Sequence, residues 1–448
     1  MSSIFSRFQV MFALVLCCGL PMLATGQTMS TFAGTGKGTD YGDGGYALYA
    51  KFDDIVYMLA DANSNVYVSS GHKVRKIDAS GIVNTIAGFG VSGGKSGDGG
   101  PATAAKLNAP GGLALDKDGN LYISDSRNNC VRKVDREGII TTVAGNGIAG
   151  FTDDTLAIHA KMTTPTALAL DSVGNLYIAE SGDGNIRIRK VDQATGRIST
   201  YAGTKSTKYP QVNMADGLPA IETRIMSVAS MLFMPNGDLL YIDAIFGVLR
   251  KITPDGKAYT VCGTWKSTTV GDGGPAAVAS LNNPVGLCKN AKNDLFIAEG
   301  GGRRVRKINA DDGVINTVAG GGTQASGDAL DVALYPLTAL AIDPYGNMFL
   351  AQSTKTILYY SANTPKDDEA MIIYPNPCVA TAYATLPSGV QEIAKVYVLD
   401  ASGRVVSMSE GPTNMAIGIH FEKAGTYVLQ GISKNGKWSG KVSVVKPQ

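Results

Sequence analysis

Six points along the 448-residue chain place a polar side chain at the end of a short apolar run: Ser69, Asp125, Glu180, Asp243, Glu299 and Gln352. Four are carboxylates. Brought into a ring, such oxygens could hold Ca2+ or another hard divalent cation, a sugar or a basic peptide. A few residues further on, five of the six runs meet a cation pair: Arg75-Lys76, Arg132-Lys133, Arg189-Lys190, Arg250-Lys251 and Arg306-Lys307. A guanidinium bonds a carboxylate through charge-assisted hydrogen bonds, so the competing reading is structural, each acid bridged by an Arg of its own or the next repeat. The last run supports that coupling, because Gln352 replaces the acid and Leu358-Tyr359 the cations. The first run opposes it, keeping the cations without an acid.

A second set of candidates lies in Gly-rich loops. Gly97-Asp98-Gly99-Gly100-Pro101-Ala102 reappears as Gly271-Asp272-Gly273-Gly274-Pro275-Ala276, and in part as Gly42-Asp43-Gly44-Gly45. Glycines there let backbone amides form an anion nest, or simply turn the chain. The Pro-Ala-Thr-Ala-Ala-Lys-Leu stretch that follows the first loop predicts one helical turn, with Leu107 plugging the next repeat. Asp98 and Asp272 therefore join Asp125, Glu180, Asp243 and Glu299 as candidate ligand-binding residues. No catalytic residue is assigned: the chain has three His, at 72, 159 and 420, and no Ser or Cys with a credible His partner. Asp61-Ala62-Asn63-Ser64-Asn65 opens like a calcium loop, but Val66 takes the glycine position and His72 that of the bidentate acid, so it reads as a hairpin turn. No cofactor is predicted beyond a possible divalent cation. With charged residues at 17% and a net charge of +2, nucleic acid is excluded as a partner.

The elements that must position these residues recur. A Thr-x-Ala-Gly-like tetrad stands at 31–34, 85–88, 142–145, 200–203, 260–263 and 317–320. Between copies the order is constant. In one, Gly112–Asp116, Leu121–Asp125, Cys130–Asp135 and Ile140–Ala144 are short β-branched or apolar segments separated by Gly, Asn and Asp. These read as strands a, b, c and d of one antiparallel sheet. Such a sheet, apolar on both faces, needs neighbours, and stacking around an axis gives a propeller where an open solenoid would need polar caps. The sixth a–b–c set has no d strand after it, while an orphan d-like strand, Met29–Gly34, precedes the first. The expectation is a six-bladed all-β propeller closed by its N-terminal strand.

The flanks differ. Residues 1–26 read as a signal peptide: Arg7, the apolar stretch Val10–Leu20, and the small Ala24-Thr25-Gly26 before Gln27. No stretch of the mature chain is long and apolar enough to cross a bilayer as a helix. Cys130, Cys262, Cys288 and Cys378 match no zinc spacing and read as isolated thiols, with a Cys262–Cys288 bridge as the alternative. Residues 27–363 form the propeller and 364–370 a polar linker. Residues 371–448, with no earlier copy and alternating apolar and polar residues, read as a small β-sandwich of six or seven strands.

Two resemblances follow from these motifs. The blade Leu113–Asp135, with Asp-x-x-Gly-Asn-Leu-Tyr-Ile-x-Asp and Asn-x-Val-Arg-Lys-Val, resembles an NHL repeat, as do residues 168–192 and 287–309. The longer inter-blade segments are similar to those of secreted and cell-surface NHL propellers. The resemblance implies a binding or interaction module for protein, peptide or glycan. It also raises two enzyme types, a copper- and zinc-dependent peptide lyase and a carboxylate-metal lactonase or hydrolase at the channel mouth. The first needs several convergent His, and His72 and His159 occupy different positions in their repeats; no motif here matches the second. The tail, with Tyr374-Pro375-Asn376-Pro377, Asp400-Ala401-Ser402-Gly403-Arg404-Val405-Val406, Gly425-Thr426-Tyr427 and the closing Lys441–Lys446 strand, resembles a type A sorting domain of type IX secretion. That implies bacterial export through dedicated machinery, with release or attachment at the outer cell surface.

Overall fold

The computed structural model describes residues 28–360, apart from 37, 80, 183–185, 204–214, 267 and 325–326, together with seven strands between 372 and 444. Residues 28–360 form six antiparallel sheets, each ordered a to d from the inside outward. Blade one comprises Ile55–Ala60, Val66–Ser70, Lys73–Ile77 and Ile82–Ala87; blade two, Pro110–Leu115, Leu121–Asp125, Cys130–Val134 and Ile140–Ala144. Blade three is Pro165–Leu170, Leu176–Glu180, Arg187–Val191 and Arg197–Ala202; blade four, Val228–Phe233, Leu239–Asp243, Val248–Ile252 and Lys257–Cys262. Blade five is Pro284–Lys289, Leu295–Glu299, Arg304–Ile308 and Val314–Gly320, and blade six opens with Leu337–Ile342, Met348–Gln352 and Ile357–Tyr360. The six a strands touch in cyclic order, the sixth returning to the first, so the domain is a six-bladed β-propeller.

Burial explains the sequence pattern. Strand b lies between neighbouring blades, and all five residues of Leu121–Asp125 are buried, which is why b strands read as unbroken runs rather than alternating ones. The a–b turns are locked by their own side chains. Asp116 Oδ1 accepts the N–H groups of Asp118 and Asn120, and Asn120 Nδ2 donates to Asp116 Oδ2 at 2.7 Å. Asp61 does the same for Asn63 and Asn65, so the calcium-like stretch is a hairpin turn. Each connector from strand d to the next a adds packing. After the single 3-10 turn Ala102–Ala104, Leu107 is buried between Val74 and Ala87 of blade one and Leu121 and Ile123 of blade two.

The outer strand of the sixth sheet is Thr28–Ala33, with Met29 opposite Tyr360 and Thr31 opposite Leu358. Two side-chain clasps also link blades six and one: Lys355 Nζ reaches Asp53 at 3.0 Å and Asp54 at 3.2 Å, and Ser64 Oγ donates to the buried Asp343 at 2.9 Å. Cys130, Cys262 and Cys288 are free thiols.

Beyond residue 360 the strands Ile372–Tyr374, Thr381–Thr385 and Ile417–His420 form one sheet. A second contains Ile393–Leu399, Val405–Pro412, Gly425–Ser433 and Gly436–Val444. The signal segment 1–26, the linker 364–370, Pro375–Pro377, Cys378 and the Ser402-Gly403 turn lie outside the described residues. Among the described residues no helix is long and apolar enough to cross a membrane.

Candidate functional site

Strand periodicity sends the two strand-c cations in opposite directions. Lys76 and Lys133 lie over the rings of Tyr67 and Tyr122, each 5.7 Å from the centroid. Arg75, Arg132, Arg189, Arg250 and Arg306 turn inward and are among the largest fully buried side chains. A buried guanidinium must be paired. In blade two Arg132 Nη2 meets Asp98 Oδ1 at 2.8 Å and Nη1 meets Asp125 Oδ2 at 3.5 Å. In blade three Arg189 spans Asp153 at 3.1 Å and Glu180 at 2.9 Å, and in blade five Arg306 spans Asp272 at 2.7 Å and Glu299 at 3.5 Å. The loop aspartate is itself held by the tetrad threonine of strand d: Thr142 Oγ1 donates to Asp98, Thr200 Oγ1 to Asp153 and Thr317 Oγ1 to Asp272. One cluster thus ties strands b, c and d to the incoming connector, and the acid comes from the same blade rather than the next.

Five of the six candidate residues sit in these clusters: Asp98 and Asp125 share Arg132, Asp272 and Glu299 share Arg306, and Glu180 meets Arg189. The sixth, Asp243, accepts backbone N–H groups of Met226, Ser227 and Phe246 at 2.8, 3.2 and 3.4 Å. Asp125 Oδ1 likewise caps Asn108 N, and Gln352 Oε1 caps Tyr335 N, so the last residue of strand b secures the connector ahead of strand a whatever its charge. Burial raises the carboxyls of Asp125 and Glu299, and pushes Glu180 up to about 7 and Asp243 up to about 6. Among the described residues no three His, Cys, Asp or Glu converge to hold a metal. His72 is engaged too, accepting Ala109 N–H on Nδ1.

Two readings of blade one need correction. Strand pairing puts Ser70, not Ser69, at the acid position, since Ser70 faces Ile55 as Asp125 faces Pro110. Ser69 instead donates to Gly111 O of blade two at 2.6 Å. Nor does blade one lack an acid. Asp40, from the connector, accepts Ser70 Oγ at 2.6 Å and lies 3.9 Å from Arg75, with Asp43 on the other side at 2.6 Å. The tetrad threonines were a missed signal as well: threonine and loop aspartate recur together, 42 to 47 residues apart in blades one to five.

Near the axis one residue stands out by size. The second residue after the start of strand a is Gly112, Ala167, Ser230, Gly286 or Ala339 in blades two to six, but Tyr57 in blade one. A Cβ on Gly112 would lie 2.4 Å from Thr166 O of the next blade, so the close approach there requires glycine. The phenol of Tyr57 crosses to Ser230 of blade four and Cys288 of blade five, and burial raises it to about 12. The groups that meet the phenol there are uncharged. Exposed apolar side chains, by contrast, gather elsewhere. Among residues 28–360, Val173 and Tyr345 alone of the large exposed ones lie on a–b turns. Tyr41, Phe89, Val91, Ile148, Trp265 and Tyr335 are on connectors, and Ile245 is on a b–c loop.

The comparisons with known proteins agree on the fold. The Teneurin NHL domain model matches residues 89–152, from one connector through blade two into the next. Teneurin-3 of Mus musculus is 28% identical over 247 residues, 50% of this chain and 9% of that protein. Teneurin-4 of Homo sapiens is 33% identical over 191 residues, 38% of this chain and 6% of that protein. The chain therefore spans a tenth or less of these relatives' length. Among solved structures, a Bacteroides thetaiotaomicron protein of unknown function is 21% identical with a TM-score of 0.54, over 75% of this chain and 76% of that one. An auxiliary nutrient binding protein of Bacteroides ovatus is 16% identical with a TM-score of 0.53, over 75% and 77%.

Proposed function

We propose that this chain is a binding module, exported to the cell surface or beyond, that presents its connectors and b–c loops to a protein, peptide or glycan. The observation that carries the reading is the uneven distribution of exposed apolar side chains: most stand on the connectors, one on a b–c loop, and two on the a–b turns. The candidate acids are held in the internal clusters described above or, for Asp243, by backbone N–H groups. The name of the Bacteroides ovatus neighbour places it among binding proteins; that likeness carries the fold, and the role rests on the surface. The test is a screen of the full mature chain against glycan and peptide arrays. Phe89→Ser and Val91→Ser should weaken the signal and Val173→Ser should leave it intact. A chain that binds nothing in either array, or turns over a lactone only with added divalent metal, would refute the reading.

Two further parts belong to the proposal. Thr28–Ala33 acts as the closing strand of the ring, supported by its pairing with Ile357–Tyr360. Residues 371–448 act as the export signal, supported by the Tyr-Pro-Asn-Pro opening and the Gly-Thr-Tyr strand. Deleting 371–448 should trap the protein inside the outer membrane, and unchanged export would reject that role.

A further inference from the structure

Blade four departs from a pattern that three other blades keep. Two residues after the tetrad glycine, the chain turns with positive φ, and three blades use glycine there: Gly36 at +73°, Gly90 at +77° and Gly147 at +89°. Blade four has Trp265, at +64°. For a bulky L residue this is a strained backbone, of the kind that persists where the side chain is wanted. Packing alone does not explain it, since Trp265 remains 42% exposed.

The side chain is held in place rather than left free. Phe246, on the b–c loop of blade four, meets the indole edge-to-face, with centroids 5.1 Å apart and planes at 70°. Its neighbour Ile245 is 61% exposed. Other b–c loops carry no such pair; blade five, next in the ring, has bare Gly300-Gly301-Gly302. Apart from Lys266 and Asp272, which Arg306 holds at 2.7 Å, the connector bearing Trp265 supplies neutral polar groups. Thr264 Oγ1 and Ser280 Oγ share a hydrogen bond, Thr269 Oγ1 donates to Glu299, and Asn282 and Asn283 close the segment against the b–c loop of blade five. Lys266 is the one charge adjoining the indole in the chain.

From this we infer that Trp265, oriented by Phe246, is a platform for a ring of a neutral glycan. An uncharged pyranose offers an apolar C–H face that stacks on an indole, and hydroxyls suited to a rim of hydroxyl and amide groups. A charged peptide would need an array of opposite charges, where this connector offers Lys266 and an Asp272 already engaged by Arg306, and an aliphatic anchor would not require an aromatic at a glycine position. The inference rests on the binding-module reading above and names a ligand class for one part of that surface.

Substitution by glycine separates binding from folding. Trp265→Gly installs the residue that other blades use, relieving the backbone while removing the ring. The full mature chain is run in native gels containing starch, β-glucan, xylan or mannan, and Tm is measured in parallel. The expected result is retardation by at least one polysaccharide, weakened about tenfold or more in Trp265→Gly, with Tm unchanged or raised. Trp265→Phe should bind at an intermediate level. A lower Tm with unchanged retardation would make Trp265 a packing residue and overturn the site. Retardation equal to wild type at equal Tm would overturn the site but leave the module reading standing. No retardation of the wild-type chain by any of the four would overturn the glycan assignment, and the peptide array would then decide the module reading independently.

Discussion

Blades two and six have the same four-stranded fold but opposite interiors. Blade two buries Arg132 between Asp98 and Asp125, with Thr142 holding Asp98. Blade six has Leu358 at the arginine position and Gln352 at that of the acid, and in the sequence Ala325 precedes strand a by 12 residues, as Asp98 does in blade two. Around Leu358 it packs Met29, Leu334 and Leu350 instead. The ion cluster is therefore one of two ways to fill the space between strands and connector. All partners change together because a half-replaced cluster leaves a buried charge alone, which is worse than either complete solution. Blade six also differs in connectivity, because its fourth strand comes from the far end of the chain.

The largest test concerns that connectivity. Removing residues 28–34 strips blade six of a strand ladder and of the buried Met29 and Ala33, so several kcal/mol should be lost. Thermal unfolding should shift down by roughly 10 °C or more and broaden. An unchanged melt would mean that the strand-a contacts close the ring alone. The next test swaps interiors. Arg132→Ala leaves Asp98 and Asp125 facing no cation and should cost about 3–5 kcal/mol in denaturant titrations. Installing the blade-six set, Arg132→Leu with Asp125→Gln and Asp98→Ala, should recover most of that loss. Equal destabilisation by the single and triple variants would break the comparison.

A smaller effect follows from burial of the acids. Glu180 is raised from 4.5 to about 7, so the folded state holds its proton more tightly than the unfolded chain. Its contribution to stability is full below about pH 4.5 and is lost as pH rises through about 7. Asp243, raised from 3.8 to about 6, acts in the same direction. Glu180→Gln mimics the protonated acid with the residue that blade six already uses, and should flatten the fall in Tm between pH 4.5 and 7. An unaltered slope would show that Arg189 keeps Glu180 charged throughout.

These contrasts indicate which parts of the molecule could be read in advance. The sheets were legible because the tetrads, turn residues and apolar runs are local and recur. The pairing of acid with arginine was legible because blade six loses both. Asp40 was not, since it reaches the acid site of blade one from 30 residues away, at a connector position that holds Lys95 and Thr269 in blades two and five. Tyr57 was equally hidden: its partners sit on blades four and five, and only closure of the ring brings them together. The strain at Trp265 is a backbone property that no composition reveals until the equivalent glycines are aligned.

The smallest test separates two kinds of fastening at the seam between blades six and one. Lys355 Nζ sits between Asp53 and Asp54, and its hydrogen bond to Asp53 raises the amine and lowers the acid. All three side chains are substantially exposed, so water and salt screen the attraction, and exposed pairs of this kind contribute about 0–1 kcal/mol. Lys355→Ala should therefore lower Tm by about 2 °C at most, and the difference should vanish in about 1 M salt. Ser64→Ala, at the buried end of the same seam, should cost about 1 kcal/mol and keep its effect in salt, because it removes a donor from a carboxylate with little access to water. Asn347 still bonds Asp343 at 2.8 Å, which limits that loss. If Lys355→Ala proved as damaging as removal of residues 28–34, the seam would be held by a surface ion pair. Blade six would then differ from blade two in its latch rather than in its borrowed strand.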